Sequence, residues 1–385
     1  MVVFIDLLGF GILIPILPAF TKNVLHKPES YVGIAIAIYS LVQFLCNPIF
    51  GSLSDKYGRR KIILFTLFLN SMGYVVFAFT QSFLMLVISR VIAGVGGSTI
   101  GVAQAYIADV TTKENRSKGM GLIGVAFGMG FVFGPIIGGL LSTIGYEITG
   151  FASAAFSMLA LILSYFFLPE SKVRDLIASQ KVKIQRKLID IDGFRKVFAN
   201  PTLAVIISLF FIITFSVANI YGTFALMGTE HYHFSNKENG YIFGIVGIVG
   251  AMVQGGLIGR LSKYFTDVRL ITIGSVFMML GLGLLPFGVG FATVALTAGM
   301  MSLGTGILQP VLLSLVSKVA PESEQGLTLG VNQSLSALAR VLGPLWGGFT
   351  FQYLGYYVPF LTGSLMTFFI FIFSVIFLSK HLNTK

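Results

Sequence analysis

Charge is what this sequence has least of. Asp, Glu, Lys and Arg make up 11% of its 385 residues, against about 25% in a soluble domain. That is too little to coat a water-facing surface, so an ordinary soluble enzyme is excluded. Cysteine is nearly absent. The single Cys46 excludes an intramolecular disulfide and a cysteine metal cluster. Histidine is scarce too: of the four, only His231 and His233 lie together, beside Glu230 in a short loop, and they read as solvated loop residues rather than metal ligands. No Gly-x4-Gly-Lys-Ser/Thr loop occurs, which argues against ATP hydrolysis by this chain, and no Ser/His/Asp arrangement is visible in the apolar runs. No enzyme activity, cofactor or metal is therefore expected.

Apolar residues are abundant instead, at 55%, with 37 Phe and 45 Gly. A helix needs about 20 mostly apolar residues to cross the hydrocarbon core. Such runs fall near 2–21, 32–54, 61–80, 83–109, 117–142 and 147–168. Six more fall near 202–227, 237–263, 268–290, 293–318, 326–351 and 355–379. The expected fold class is an all-α polytopic membrane protein of 12 transmembrane helices. It divides into two pseudo-symmetric six-helix bundles, 1–168 and 202–385, joined by a charged linker, 169–201. Almost nothing precedes the first run, so no cleavable signal is expected.

The formal net charge of +11 follows from placement. With both termini on one side, the loops on that side and the C-terminal tail hold 21 of the 26 Lys and Arg residues. Basic loops stay cytoplasmic during insertion, so both termini are expected in the cytoplasm of a cell with this protein in its inner or plasma membrane. The charge needs no nucleic-acid partner, and the lipid bilayer is the partner it implies.

The halves repeat. Gly130, Gly134-Pro135 and Gly138-Gly139 in the fifth run match Ala339, Gly343-Pro344 and Gly347-Gly348 in the eleventh at an offset of 209 residues. Parallel repeats of six spans point to a transporter with its site where the repeats meet.

Motifs narrow this further. The loop after the second run reads Gly51-Ser-Leu-Ser-Asp55-Lys-Tyr-Gly58-Arg59-Arg60-Lys61. Gly51 suits tight helix packing, Gly58 a sharp turn, and Asp55 a bond to a helix end or a basic residue. The sequence closely resembles the loop signature of the major facilitator superfamily. The resemblance implies the major facilitator fold and a lock that closes the cytoplasmic side, with Asp109 and Arg116 resembling its partner charges; the alternative is that these charges only fix topology. The fifth run, Gly121-x8-Gly130-x3-Gly134-Pro135-x2-Gly138-Gly139, looks like the antiporter signature of drug/proton antiporters. Its glycines and proline kink offer a smooth, bent surface on which two helices slide or seal.

The fourth run carries Arg90, with Gly94, Gly97, Gly101 and Gln104 continuing one helical face. A cation at membrane depth costs at least about 2.5 kcal/mol unless partnered, so Arg90 should point inward. The family carries an arginine here, which implies a part in proton coupling; a structural tie to the kinked first span is the alternative. The first run, Asp6-Leu-Leu-Gly-Phe-Gly-Ile-Leu-Ile-Pro15-Ile-Leu-Pro18, resembles that of tetracycline-efflux and related twelve-span antiporters. Asp6 is the acid clearly inside an apolar run, and a carboxylate there, balanced between burial and a nearby cation, can exchange a proton; a fixed ion pair with Arg90 is the alternative. The third run, Leu69-Asn70-Ser71-Met72-Gly73-Tyr74, departs from the tetracycline-efflux pattern, which carries an acid near Gly73; the ninth, Ile271 to Phe287, also has none.

Polar faces sketch a cavity: Tyr39, Gln43 and Asn47 on the second run, Gln104 on the fourth, Asn219 and Tyr221 on the seventh, Gln254 on the eighth, Gln309 on the tenth, and Gln333 with Arg340 on the eleventh. Each has the alternative of an interhelical hydrogen bond. Arg340 has no acid among the second half's spans: it pairs across the halves, with Asp6 as the candidate, or stands ready for an anionic or strongly polar substrate group, with helix carbonyls near a membrane face as the alternative. The sequence thus reads as a proton-coupled exporter of a drug-like or amphipathic small molecule, working as a monomer by alternating access. Uptake or uniport of a sugar or other polar solute is the rival, and a non-transporting receptor the third reading.

Overall fold

The computed structural model describes residues 2–111, 116–171, 191–321 and 324–382. Among them there is no strand. The first eight helices are α1 (Val2–Leu13), α2 (Leu17–Asn23), α3 (Glu29–Tyr57), α4 (Arg59–Ala78), α5 (Phe83–Gly96), α6 (Thr99–Val110), α7 (Arg116–Leu141) and α8 (Tyr146–Phe167). After the short α9 (Ile191–Phe198) come α10 (Pro201–Glu230), α11 (Asn236–Met252), α12 (Ile258–Tyr264), α13 (Asp267–Leu284), α14 (Phe291–Val319), α15 (Gln325–Leu354), α16 (Val358–Phe373) and α17 (Ser379–Leu382).

Among the described residues ten helices, counting α1–α2, α5–α6 and α11–α12 as single spans, are long and apolar enough to cross a membrane. The other two expected spans correspond to α7 and α15. In α7 the described apolar stretch is the shorter Gly128–Leu141. Helix α15 has 30 residues, but Asn332, Gln333, Ser334, Ser336 and Arg340 dilute its apolarity. The chain is a multi-pass membrane protein.

Two of the spans are broken for local reasons. Pro15 cannot donate to the ladder, and the chain turns over residues 14–16 between α1 and α2. The fourth span is interrupted by a turn at Gly97-Ser98, both of which keep right-handed angles (φ −58° and −66°); glycine is needed there for close approach, since a Cβ on Gly97 would lie 2.5 Å from Tyr39 Oη. Between α11 and α12 the residues Val253–Leu257 form a π-helical turn. Helix starts are capped by side chains: Ser82 accepts from Met85 N, Asn200 from Thr202 N and Leu203 N, and Ser235 forms a capping box with Glu238.

Contacts divide the chain into two compact units. One holds Met1–Lys27 and Ile38–Ile189, the other Pro28–Ala37 and Asp190–Lys385. In the first, Ile5, Phe50, Ile62, Ile63, Leu67, Val102 and Ala160 form a buried cluster joining α1, α3, α4, α6 and α8. In the second, Gly33 at the start of α3 packs against Gly348 of α15, whose Cβ would lie 3.2 Å from Gly33 Cα, and Gln352 Oε1 accepts from Ser30 N at 3.1 Å.

Candidate functional site

Asp6 sits on α1, is 3% exposed, and is held by two other helices. Its Oδ1 accepts from Asn70 Nδ2 of α4 at 2.7 Å and from Ser157 Oγ of α8 at 3.0 Å. The close approach of α8 depends on Gly9. A Cβ there would lie 2.9 Å from Ser153 O and 3.3 Å from Ser157 Oγ. Neither Asn70 nor Ser157 stands out in the sequence, because an isolated polar residue in a span usually makes a local tie.

Arg90 on α5 is 4% exposed, but it does not form an ion pair with Asp6. Its Nη2 donates to Ser89 Oγ at 3.2 Å, the guanidinium lies 5.3 Å from the Phe77 ring centroid, and Nε is buried without a partner. The hydroxyl and the ring offset part of the burial cost of the cation. Tyr74 of α4 is fully buried and within electrostatic reach of both charges. Gly73 beside it has no room for an acid: a Cβ there would lie 2.7–2.9 Å from Ala93 of α5.

The glycine-rich fifth span supports α1 from another side. A Cβ on Gly134 would lie 2.7 Å from Gly11 Cα, one on Gly130 2.8 Å from Leu7 Cβ, and one on Gly138 would collide with Ile12 O. Pro135 lies inside α7, and Gly139 is buried. Gly121 falls in α7, but its surroundings lie outside what is described. The second unit repeats this seam, with Gly343 and Gly347 of α15 against Phe215, Ala218 and Asn219 of α10.

At the end of α3, Asp55, Arg59 and Asp109 come together. Arg59 Nη2 pairs with Asp55 Oδ1 at 2.7 Å, and Arg59 Nε with Asp109 Oδ2 of α6 at 2.9 Å. Arg59 Nη1 adds a bond to Ser54 Oγ at 2.5 Å. Arg59 begins α4, where a cation opposes the helix dipole and backbone N–H groups lack partners. Glu170, which the sequence reading passed over inside a charged linker, compensates: its Oε1 accepts from Arg59 N at 2.8 Å. Gly58 has φ +100°, and a Cβ there would press on the Glu170 carboxylate. Arg60 donates to Tyr165 O and covers the Tyr165 ring at 5.5 Å. Gly51 differs from its expected packing role. Nothing lies within 4 Å of a Cβ built there; instead its carbonyl accepts from Ser54 Oγ at 2.7 Å. The side chain of Arg116 lies outside what is described.

The remaining polar candidates fall in both units. Tyr39, Gln43 and Asn47 line one face of α3 and meet the glycines of the fourth span: Gln43 Nε2 donates to Gly97 O at 2.9 Å, and Asn47 Oδ1 is buried near Gly101. Tyr39 also stacks on Phe10, with ring centroids 5.1 Å apart. Gln104 is exposed although Arg90 is buried; the face between them holds across the turn, with Gly94, Gly97 and Gly101 all against α3. Asn219 is fully buried on α10, and its Nδ2 donates to Pro359 O of α16 at 2.7 Å. Tyr221 and Arg340 interact electrostatically within the second unit, and both are partly buried. Gln254 is exposed in the π-helical turn, Gln309 partly buried and Gln333 exposed. Among the described residues no group of three His, Cys, Asp or Glu can hold a metal ion.

The profile of the Major Facilitator Superfamily matches residues 1–344 and again 255–384. The chain belongs to the major facilitator superfamily. Members of this family are transporters, not enzymes. The tetracycline resistance protein, class C, of Escherichia coli is 31% identical over 344 residues, which span 89% of this chain and 85% of that protein. Multidrug resistance protein 1 of Bacillus subtilis (strain 168) is 30% identical over 351 residues, 91% of this chain and 87% of that one. Crystal structures of other superfamily transporters share the fold. The nucleoside transporter NupG has a TM-score of 0.81 at 12% identity, and the human organic anion transporter MFSD10 0.70 at 23%, each with 97% of both chains covered.

Proposed function

We propose that this chain exports an amphipathic, drug-like small molecule in exchange for protons by alternating access. The observation that carries the reading is Asp6, a carboxylate buried at membrane depth on hydroxyl and amide donors rather than on a cation. Relatives named for tetracycline and multidrug resistance support the direction and the substrate class.

The chemistry follows from the donors. An ionised Asp6 makes charge-assisted hydrogen bonds with Asn70 and Ser157, roughly twice as strong as neutral ones. Protonation weakens both bonds and so loosens α1 from α4 and α8. Helix α1 also forms the glycine seam with α7, so a proton on Asp6 changes the tension on that seam. Arg90 and Tyr74 extend the buried polar chain and keep the charge balance near Asp6. Asp55, Arg59 and Asp109, with Gly58, Arg60 and Arg116, lock the cytoplasmic side. Tyr39 and Gln104 in the first bundle, and Tyr221 with Arg340 in the second, are the polar groups offered to substrate. The bundles are 1–168 and 202–385, joined by the cytoplasmic linker 169–201. Both termini are cytoplasmic, a monomer suffices, and no nucleic acid takes part.

The test is a panel of amphipathic drugs and dyes given to cells carrying the protein, with and without an uncoupler. Exclusion that collapses with the uncoupler supports the reading. Uncoupler-sensitive accumulation of a sugar or other polar solute, with no compound excluded, overturns it.

A further inference from the structure

The glycine repeat between the halves extends to the charged lock, with every sign reversed. At an offset of 208 or 209 residues, Asp55 is replaced by Lys263, Arg59 by Asp267 and Asp109 by Lys318. The helix positions match as well. Arg59 is the first residue of α4 and Asp109 the last but one of α6; Asp267 is the first residue of α13 and Lys318 the last but one of α14. In the first half Arg59 Nε meets Asp109 Oδ2 at 2.9 Å, and in the second Lys318 Nζ meets Asp267 Oδ2 at 2.7 Å. Each half thus ties the start of its third span to the end of its fourth.

We propose that Asp267 and Lys318 form a second, charge-reversed lock that the transport cycle opens and closes, as positioning residues rather than substrate contacts. This rests on the transport reading above. The reversal has a physical logic. An acid at a helix N-terminus and a base at a C-terminus both favour the helix dipole. Asp267 and Lys318 are placed that way, and Thr266 Oγ1 caps α13 by accepting from Arg269 N at 3.4 Å. The first lock runs against both dipoles, and Glu170 on the N–H of Arg59 compensates. The second lock needs no counterpart of Glu170. It is also simpler. Lys263 makes no ion pair with Asp267, since α12 stops at Tyr264 and the extended Phe265 (φ −121°, ψ 142°) separates them, whereas Asp55 pairs with Arg59 along a nearly continuous chain. The Lys318 side chain is 59% exposed, that of Arg59 8%. The second pair is therefore the weaker and more salt-sensitive of the two, suited to open first.

The experiment compares Asp267→Lys, Lys318→Asp and the swapped double variant Asp267→Lys/Lys318→Asp in proteoliposomes, using a drug or dye that the unmodified protein exports. Turnover and equilibrium binding of that compound are both measured. Each single variant should lower turnover about 3- to 10-fold, the range an exposed pair supports once two like charges replace it, with binding affinity held within about twofold. The swapped variant should recover part of the loss, the remainder reflecting two charges now set against the helix dipoles. Single variants that turn over like the unmodified protein overturn the proposal, as does a swapped variant that reconstitutes normally and recovers nothing. Failure of the unmodified protein to move any compound of the panel overturns the transport reading instead.

Discussion

The seam between α1 and α7 makes a quantitative test of how the helix that carries Asp6 is held. In Gly134→Ala the added Cβ would lie 2.7 Å from Gly11 Cα, 2.8 Å from Gly11 C and 3.0 Å from Ile12 N. All three are backbone atoms, so no side chain can swing aside. Ordinary carbon contacts need about 3.5–4.0 Å, and α7 must retreat by about 1 Å. A gap of that size forfeits a quarter to a half of each dispersion contact along the seam. Glycine contacts at Gly130 and Gly138 share it, which makes the gross loss about 2–4 kcal/mol. Alanine returns about 1 kcal/mol of helix propensity, leaving a net loss of about 1–3 kcal/mol. For a unit of this size that lowers the melting temperature by about 2–10 °C. Thermal unfolding of the purified protein in detergent, followed by intrinsic fluorescence, measures it. Gly51→Ala is the control, because that Cβ meets nothing within 4 Å, and it should be as stable as the unmodified protein or slightly more so. If Gly134→Ala melts with Gly51→Ala, the seam is not what holds α1.

Two further substitutions test the loop and the second bundle. Gly58→Ala combines a φ of +100° with a clash against Glu170; it should cost about 1–3 kcal/mol and slow transport, and Glu170→Ala added to it should recover part of the stability. Asn219→Leu removes the 2.7 Å bond to Pro359 O; it should cost about 1 kcal/mol while leaving the spectrum of exported compounds unchanged, and an altered spectrum at normal stability would make Asn219 a substrate contact.

Much of the architecture was readable from the apolar runs, because a membrane span must be both long and continuous. Helix boundaries were harder where glycine interrupts a span. The break at Gly97-Ser98 looks like any small-residue pair in a membrane helix. Asp6 was legible as an acid in an apolar run. Its donors were not, since Asn70 and Ser157 lie in different spans and only packing makes them converge on one oxygen. Glu170 was hidden among linker charges for the same reason. The loop signature was legible by residue type, but its reversed copy was not. A search for like charges passes over Lys318 opposite Asp109, and only the shared helix positions reveal the correspondence. Gly51 shows the opposite error, a conspicuous glycine whose Cβ position is open.

Proton exchange at Asp6 is the step on which coupled export depends. The decisive measurement is export in proteoliposomes under an imposed proton gradient, comparing the unmodified protein with Asp6→Asn at equal reconstitution, and with downhill substrate exchange as the control for folding. Asparagine keeps the shape and can still meet Asn70 and Ser157, but it carries no exchangeable carboxyl proton. The account predicts that the gradient drives export by the unmodified protein and not by Asp6→Asn, while downhill exchange persists. Undiminished gradient-driven export by Asp6→Asn would contradict it.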